Sequence, residues 1–345
     1  MASDTKPRSL VTGGAGFIGS HLTDELIERG HAVVVLDDLS GGFVENVNPQ
    51  AKFLQGSVVD ALLIKSLFHD HRFDYVFHLA AYAAEGLSHF IRVFNYTNNL
   101  IGSANLINAA VRSACRCFVF TSSIAVYGSA QLPMQEETQP RPEDPYGIAK
   151  YAIELDLEAA RKMFGLNHIV FRPHNVYGER QNIGDKYRNV IGIFMNQVMQ
   201  GLPCTIFGDG SQTRAFTHIS DVAPRIARSV DTAAAYGQVF NVGADTPYSV
   251  RYLAEQVQRA MRRQTGIKHV DPRNEVQHAY SDHSKAERVL GRTTPVTLEE
   301  GLARMAQWVR QVGPRSSKEF EAIEIEEGLP STWVDTCTRA SKSAS

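Results

Sequence analysis

Apolar residues recur along the first half of the chain in short unbroken runs. Longer stretches separate them, in which apolar residues return every three or four positions. The runs are Ser9-Leu10-Val11-Thr12, His31-Ala32-Val33-Val34-Val35-Leu36, Lys52-Phe53-Leu54, Tyr75-Val76-Phe77-His78-Leu79, Cys117-Phe118-Val119-Phe120 and His168-Ile169-Val170-Phe171. A run without polar alternation suits a strand covered on both faces, as in a parallel sheet. The intervening stretches, about 16–29, 61–69, 97–113 and 145–164, read as helices. Strand and helix in alternation predict an α/β fold: an open, doubly wound parallel sheet with helices on both faces.

The pattern changes after Arg172. Residues 173–190 carry Gly, Pro and Asn and read as loop. A helix near 191–200, a short strand Cys204–Phe207 and helices near 249–263, 282–290 and 298–312 follow. These pieces predict a smaller, mixed α/β lobe. The expected division is a first domain over 8–172 with a returning segment at about 218–242, and a second lobe from 173–217 and 243–335. The polar residues 336–345 read as a disordered tail.

Composition narrows the class. With 345 residues, 43% of them hydrophobic, the chain can bury a large core. Its net charge of −2 lacks the basic excess of a nucleic-acid binder. No apolar run approaches the ~18 residues that span a membrane, and Met1 to Arg8 carry no apolar signal region. Cys115, Cys117, Cys204 and Cys337 match no zinc spacing, so they read as reduced thiols and no metal site is expected. A soluble cytoplasmic protein fits these features.

Two constellations carry chemistry. The first is Gly13-x-x-Gly16-x-x-Gly19, directly after the first strand and opening the first helix. Missing side chains let the backbone approach a pyrophosphate, whose charge meets the helix N-terminus. Phe17 and Ile18 lie inside this turn. Asp37 follows Gly19 by 18 positions (37 − 19), at the end of the second strand. A carboxylate there accepts hydrogen bonds from both ribose hydroxyls and repels a 2′-phosphate, which predicts NAD rather than NADP. Asp38, Ser40 and Gly41 extend the same edge. Ser57 and Val58 follow the third strand, where adenine is expected, and Leu79, Ala80 and Ala81 end the fourth. Asn98, Thr121 and Pro173 complete the expected cofactor contacts. His78, inside the fourth strand, reads as a packed core residue.

The second constellation is Ser123, Tyr146 and Lys150. Tyr146 and Lys150 stand four apart and share a helix face. Asp144-Pro145 marks that helix's start and Gly165 its stop. An ammonium beside a phenol is expected to lower the phenol's pKa from ~10. A phenol so tuned can take a proton from a sugar or alcohol hydroxyl while hydride leaves the same carbon. Ser123, at a carboxyl strand end, can hold that hydroxyl. Tyr127 reads as a core aromatic.

The chain resembles an extended short-chain dehydrogenase/reductase of the NDP-sugar epimerase/dehydratase group, with its Rossmann-type sheet. The matching stretches are Val11 to Gly19, His78-Leu79-Ala80-Ala81, Thr121 to Gly128, Tyr146 to Lys150, Phe171 to Gly178 and Gly208 to Arg214, in family order over about 8–312. Ser57 departs, since the family usually has Asp there. The resemblance implies substrate contacts from Asn175, Asn189 and Val190, from Thr205 and Phe207 with Ile206 on the strand lining the base, and from Arg214 on the diphosphate. Arg273 and Glu275 resemble a second Arg and acid, at Arg-x-acid rather than the usual Arg-x-x-acid spacing.

The resemblance also separates reactions. The two positions after Ser123 carry acid or base groups in relatives that dehydrate, decarboxylate or epimerise at carbons 3 and 5. Here they are Ile124 and Ala125, which move no proton. This implies an NDP-sugar 4-epimerase of the UDP-glucose/UDP-galactose type, acting through a transient 4-keto sugar. Alternatives are epimerisation of a UDP-N-acetylhexosamine, UDP-uronic acid, GDP-sugar or CDP-sugar, a dehydratase, and a non-catalytic NAD-binding sensor. Ala279 falls near the position that sets room for the 2-substituent, and Glu85 stands where it could approach the sugar. Family members pair two long helices, here about 97–113 and 145–164, into a homodimeric four-helix bundle. Leu100, Ala104, Ile107 and Val111 recur at helical spacing for either that role or the core.

Overall fold

The computed structural model describes residues 6–273, 275–316, 320 and 323–333. Six strands from the first half build its centre: β1 (Arg8–Thr12), β2 (Ala32–Asp37), β3 (Lys52–Gln55), β4 (Tyr75–His78), β5 (Cys117–Thr121) and β6 (His168–Pro173). All pair in parallel, in the spatial order β6-β5-β4-β1-β2-β3. The strand Gln238–Val242 adds itself beside β6, with Phe240 opposite Phe171.

The burial of alternate residues explains the unbroken apolar runs. Val11, Val35, Phe77, Val119 and Phe171 enter the core on one face of the sheet. Their neighbours Leu10, Leu36, Val76, Phe118, Phe120 and Val170 enter a second core on the other. Because strand side chains point alternately to opposite faces, a strand with two covered faces needs apolar residues at every position.

Helices Phe17–Glu28, Ala61–His71 and Pro145–Phe164 fall close to their expected places. The last starts where Asp144 accepts from the Gly147 backbone N–H at 2.9 Å and stops at Gly165 in the left-handed region. The stretch near 97–113 is less regular. A short helix Arg92–Tyr96 leads through a wide π turn, Thr97–Ile101, into the helix Gly102–Arg112. That turn carries Asn99, whose side chain accepts from Tyr82 N at 2.8 Å and donates to Tyr82 O at 3.1 Å.

The second lobe packs helices Val190–Met199, Val250–Ala260 and Leu298–Val312 around Phe194, Met195, Leu253, Val257, Leu302 and Met305. Its strands are short. Cys204–Phe207 pairs with Ile267–Val270, and Thr213–Ala215 lies between Pro247–Ser249 and His278–Ala279. Among the described residues, no helix is long and apolar enough to cross a membrane, and no group of three His, Cys, Asp or Glu could hold a metal. Cys115, Cys117 and Cys204 are buried free thiols. Cys337 and the tail 336–345 lie outside the described residues.

Candidate active site

The carboxyl edge of the sheet opens onto one cavity of about 1010 Å³ shared with the second lobe. At its floor the chain leaves β1 at Gly13, whose φ of 72° is left-handed, and a Cβ there would sit 2.8 Å from Ala80 N. Gly19 is more constrained, since an added Cβ would lie 2.1 Å from Gly13 O. Glycine is thus required for this turn to close against β4 and for the helix to start beneath it. Asp37, at the end of β2, accepts from Ala15 N at 3.0 Å and from Leu39 N at 2.8 Å. Burial raises its pKa, and those amides oppose the shift.

Every residue expected to meet cofactor or substrate lines this cavity except Ser57. The Ser57 hydroxyl instead accepts from Val59 N at 3.3 Å, shaping the turn before the Asp60 cap of helix Ala61–His71. Gly56 and Val58 take the lining positions on either side. The Thr121 hydroxyl oxygen is buried with no hydrogen-bond partner in the protein. A buried hydroxyl facing a cavity unpaired is costly, and a bound dinucleotide can supply its partner. With the closed glycine turn and the Asp37 carboxylate, the residues present fit NAD.

Tyr146 and Lys150 lie one turn apart on Pro145–Phe164 and are 7% and 3% exposed. Ser123, at the end of β5, hydrogen-bonds the Tyr146 phenol and accepts from Ala125 N at 3.1 Å. Lys150 Nζ donates to Thr121 O at 2.8 Å and lies 4.7 Å from the Phe120 ring centroid. The titration differs from the sequence expectation. Burial dominates at both groups, raising the phenol's pKa, which the Ser123 hydrogen bond opposes, and pushing Lys150 down to about 7, which Glu154 opposes. A group stripped of water resists its charged form, so in the protein alone the phenol stays neutral.

A buried network holds this helix to the sheet. Arg172 on β6 donates through Nε to Glu154 at 3.0 Å, through Nη2 to its other oxygen, and through Nη1 to the Tyr127 hydroxyl at 2.7 Å. Tyr127 donates in turn to Asn241 Oδ1 at 2.8 Å. Tyr127 is therefore a core aromatic whose hydroxyl orients the arginine behind the catalytic helix. His78 is 1% exposed, bonded to Thr12 and Ser103 at 2.7 Å each, and burial pushes its pKa to about 3.

Across the cavity, Arg214 Nη1 donates to Thr213 O at 2.9 Å and Gln277 O at 3.0 Å. Arg273 meets Glu275 at 2.8 Å, and Arg214 stands 3.6 Å from the same carboxylate. Ile124 and Ala125 line the cavity beside Ser123, and Ala279 lines it on the second lobe's side. Glu85 faces the same space. Glu85 is open to the cleft, yet desolvation by the surrounding walls, with Asp144 adding to it, pushes its carboxyl up to about 7, while Arg214 and Arg273 oppose the shift.

Sequence reasoning missed two contributors. Arg188 pairs with Asp185, lies 4.9 Å from the Tyr82 ring, and opposes the rise in the Tyr146 pKa. Trp333 lines the cavity from the far end of the chain. Both stand in irregular segments without periodicity; the only signal at Arg188 is its place just before the expected contact Asn189.

Comparison with known proteins agrees with this geometry. The model of the NAD dependent epimerase/dehydratase family matches residues 9–243. A UDP-glucose 4-epimerase of Mycolicibacterium smegmatis is 35% identical over 311 residues, 88% of this chain and 98% of that protein. A mouse dTDP-D-glucose 4,6-dehydratase is 30% identical over 321 residues, 88% of this chain and 89% of that protein. The crystal structure of Thermotoga maritima UDP-glucose 4-epimerase with UDP-glucose superposes with a TM-score of 0.85 at 36% identity, covering 88% of this chain and 99% of that one. The chain belongs to the NAD dependent epimerase/dehydratase family.

Proposed function

We propose that the protein interconverts the carbon-4 epimers of a nucleotide sugar, of the UDP-glucose/UDP-galactose type, in the cytoplasm. One observation carries the choice of reaction: Ile124 and Ala125 occupy the lining positions after Ser123 and offer no group for a second proton transfer. With those two positions inert, Tyr146, beside Ser123, is the proton-transferring group for the hydroxyl that Ser123 holds. NAD bound in the glycine-turn half of the cavity would supply the hydride acceptor and donor. Ser123 orients the 4-hydroxyl, and Tyr146 takes its proton and later returns it on the other face of the ring. Lys150, fixed by Thr121 O, sets the electrostatic balance of the phenol. Arg214, Arg273 and Asn175 would grip the nucleotide diphosphate, with Glu275 accepting from ribose hydroxyls, leaving the sugar free to turn over. Ala279, a small wall residue, is compatible with a 2-N-acetyl group.

We also infer a homodimer through helices Gly102–Arg112 and Pro145–Phe164. The residues supporting it differ from the expected stripe. Leu100, Ile107 and Val111 pack on the core, whereas Ile101, Ile148 and Leu155 are exposed by 51%, 40% and 55%.

Incubation with UDP-galactose and no added NADH, read by a coupled assay for UDP-glucose, tests the reaction. Formation of UDP-glucose supports it; a 4-keto-6-deoxy sugar product overturns it.

A further inference from the structure

The segment 323–333 lies beyond the stretch that carries the family resemblance, yet it runs along the mouth of the cleft. The Glu324 carboxylate accepts from Val93 N and Phe94 N at 2.8 Å each, capping the helix Arg92–Tyr96. Glu324 N and Ile325 N donate to Phe90 O at 2.8 and 3.2 Å. Just before it, Phe320 packs on Phe94 and Tyr82, and its N–H donates to the Tyr187 hydroxyl at 3.1 Å. The segment ends at Trp333, 6% exposed, whose ring meets Tyr187 and Phe207 edge to face at 5.4 and 6.4 Å.

Arg273 ties this segment to the site. Its guanidinium lies 4.6 Å from the Phe207 ring centroid and 5.9 Å from that of Trp333. Glu275 pins the guanidinium edge, and the two rings, set at 73° to each other, flank it on two sides. A cation in the angle of two aromatic rings is attracted to both and, with its edge pinned, loses much of its freedom before a ligand arrives. The Trp333 ring edge also rests near Gly86, on the short helix that carries Glu85 into the cavity.

We propose that Trp333 is a substrate-side residue of this cleft, holding the Arg273 guanidinium against Phe207 and walling the nucleotide-diphosphate end over the bound nucleotide. The proposal rests on the reading of the cleft as a nucleotide-sugar site. It makes the chain beyond the common family stretch part of the recognition surface. Trp333 acts on binding: it touches the nucleotide half and leaves Tyr146 and Ser123 alone.

The test uses the chain's two tryptophans. Trp308 lies in the helix Leu298–Val312 against the second lobe's core and outside the cavity lining. Trp308→Phe therefore leaves Trp333 as the sole indole emitter in the full-length, NAD-loaded protein. Titration with UDP is expected to change that emission saturably. Trp333→Ala is expected to weaken UDP binding by calorimetry, and to raise KM for UDP-galactose, roughly tenfold, with kcat within about twofold and NAD content retained. Trp333→Phe restores most of the loss. UDP that binds by calorimetry yet leaves the emission unchanged, or binds Trp333→Ala as it binds wild type, overturns the proposal alone. Wild-type protein that binds no UDP, GDP or CDP overturns the nucleotide-sugar reading and the proposal with it. Should Trp333→Ala fail to fold, the emission change and the Trp333→Phe affinity still decide.

Discussion

The two walls of the cleft are built on opposite plans. The catalytic wall stands on β5 and the helix Pro145–Phe164, with Tyr146 and Lys150 sealed from water and an Arg172–Glu154 pair behind them whose side chains are 4% and 6% exposed. The binding wall stands on a three-residue strand and a loop, with Arg214 and Arg273 side chains 15% and 30% exposed and sharing one carboxylate. On the first wall burial suppresses charge on the groups that face the cavity and leaves only a paired charge behind them; on the second, charge is kept and faces the opening. Proton transfer needs a fixed geometry in a low dielectric. Gripping and releasing a diphosphate needs permanent charge within reach of solvent.

The sharpest way to break this comparison is at the phenol. Tyr146→Phe keeps the ring and removes the proton-transferring group, so kcat should fall about 10²–10⁴-fold while bound NAD is unchanged by absorbance. A variant that retains more than a tenth of wild-type turnover would mean that another group moves the proton, and Glu85 would be the first to try.

The second break is in stability. Arg172→Met leaves the Glu154 carboxylate buried and alone, which should cost about 3–5 kcal/mol in denaturant unfolding. Arg214→Met, on the wetter wall, removes a 3.6 Å ion pair and the hydrogen bonds to Thr213 O and Gln277 O but strands no buried charge, and should cost less, about 1–2 kcal/mol. Equal losses would erase the distinction drawn between the walls. In kinetics the ranking reverses. Arg214→Ala should raise KM for the UDP-sugar about tenfold with kcat nearly unchanged, as for loss of an interaction made equally in ground and transition states. A matching fall in kcat would place Arg214 at the chemistry instead.

The same contrast governs what the sequence discloses. The catalytic wall is legible because its signals are local. Tyr146 and Lys150 share one helix face, Asp144 and Gly165 bracket the helix, and each buried strand is a continuous apolar run. The binding wall is assembled across distance. Thr213 pairs with His278 and Lys268 with Thr205, more than sixty positions apart, so two- to four-residue strands carry no period of their own. Arg214, Arg273 and Glu275 are reached only through resemblance. Arg188 and Trp333 escape the sequence because nothing near them marks a charged or aromatic residue in a loop as facing a cleft. Position alone puts Ser57 at the cofactor, whereas its hydroxyl serves its own backbone turn. The phenol's titration departs from expectation for a related reason: spacing shows which groups are neighbours, but the depth of burial that dominates their pKa is a property of the whole fold.

The most gradual effect, spread over several pH units, tests that last point. Lys150 has its pKa pushed from 10.5 to about 7 by burial. Between those values the unfolded chain binds a proton that the folded chain does not, so Lys150 adds to stability as pH rises from 7 toward 10.5 and adds nothing more above it. Below pH 7 the buried ammonium is a constant penalty. The slope is at most about 1.4 kcal/mol per pH unit. Lys150→Met removes it, so the NAD-free variant should exceed wild type in denaturant midpoint at pH 6.5, and its advantage should shrink steadily by pH 9.5. Arg214→Met should show no such trend, because Arg214 stays charged across that range even with its pKa lowered by burial. A Lys150→Met advantage that is flat with pH would show that the ammonium keeps an ordinary pKa in its pocket, and the catalytic wall would then present a charge to the cavity just as the binding wall does.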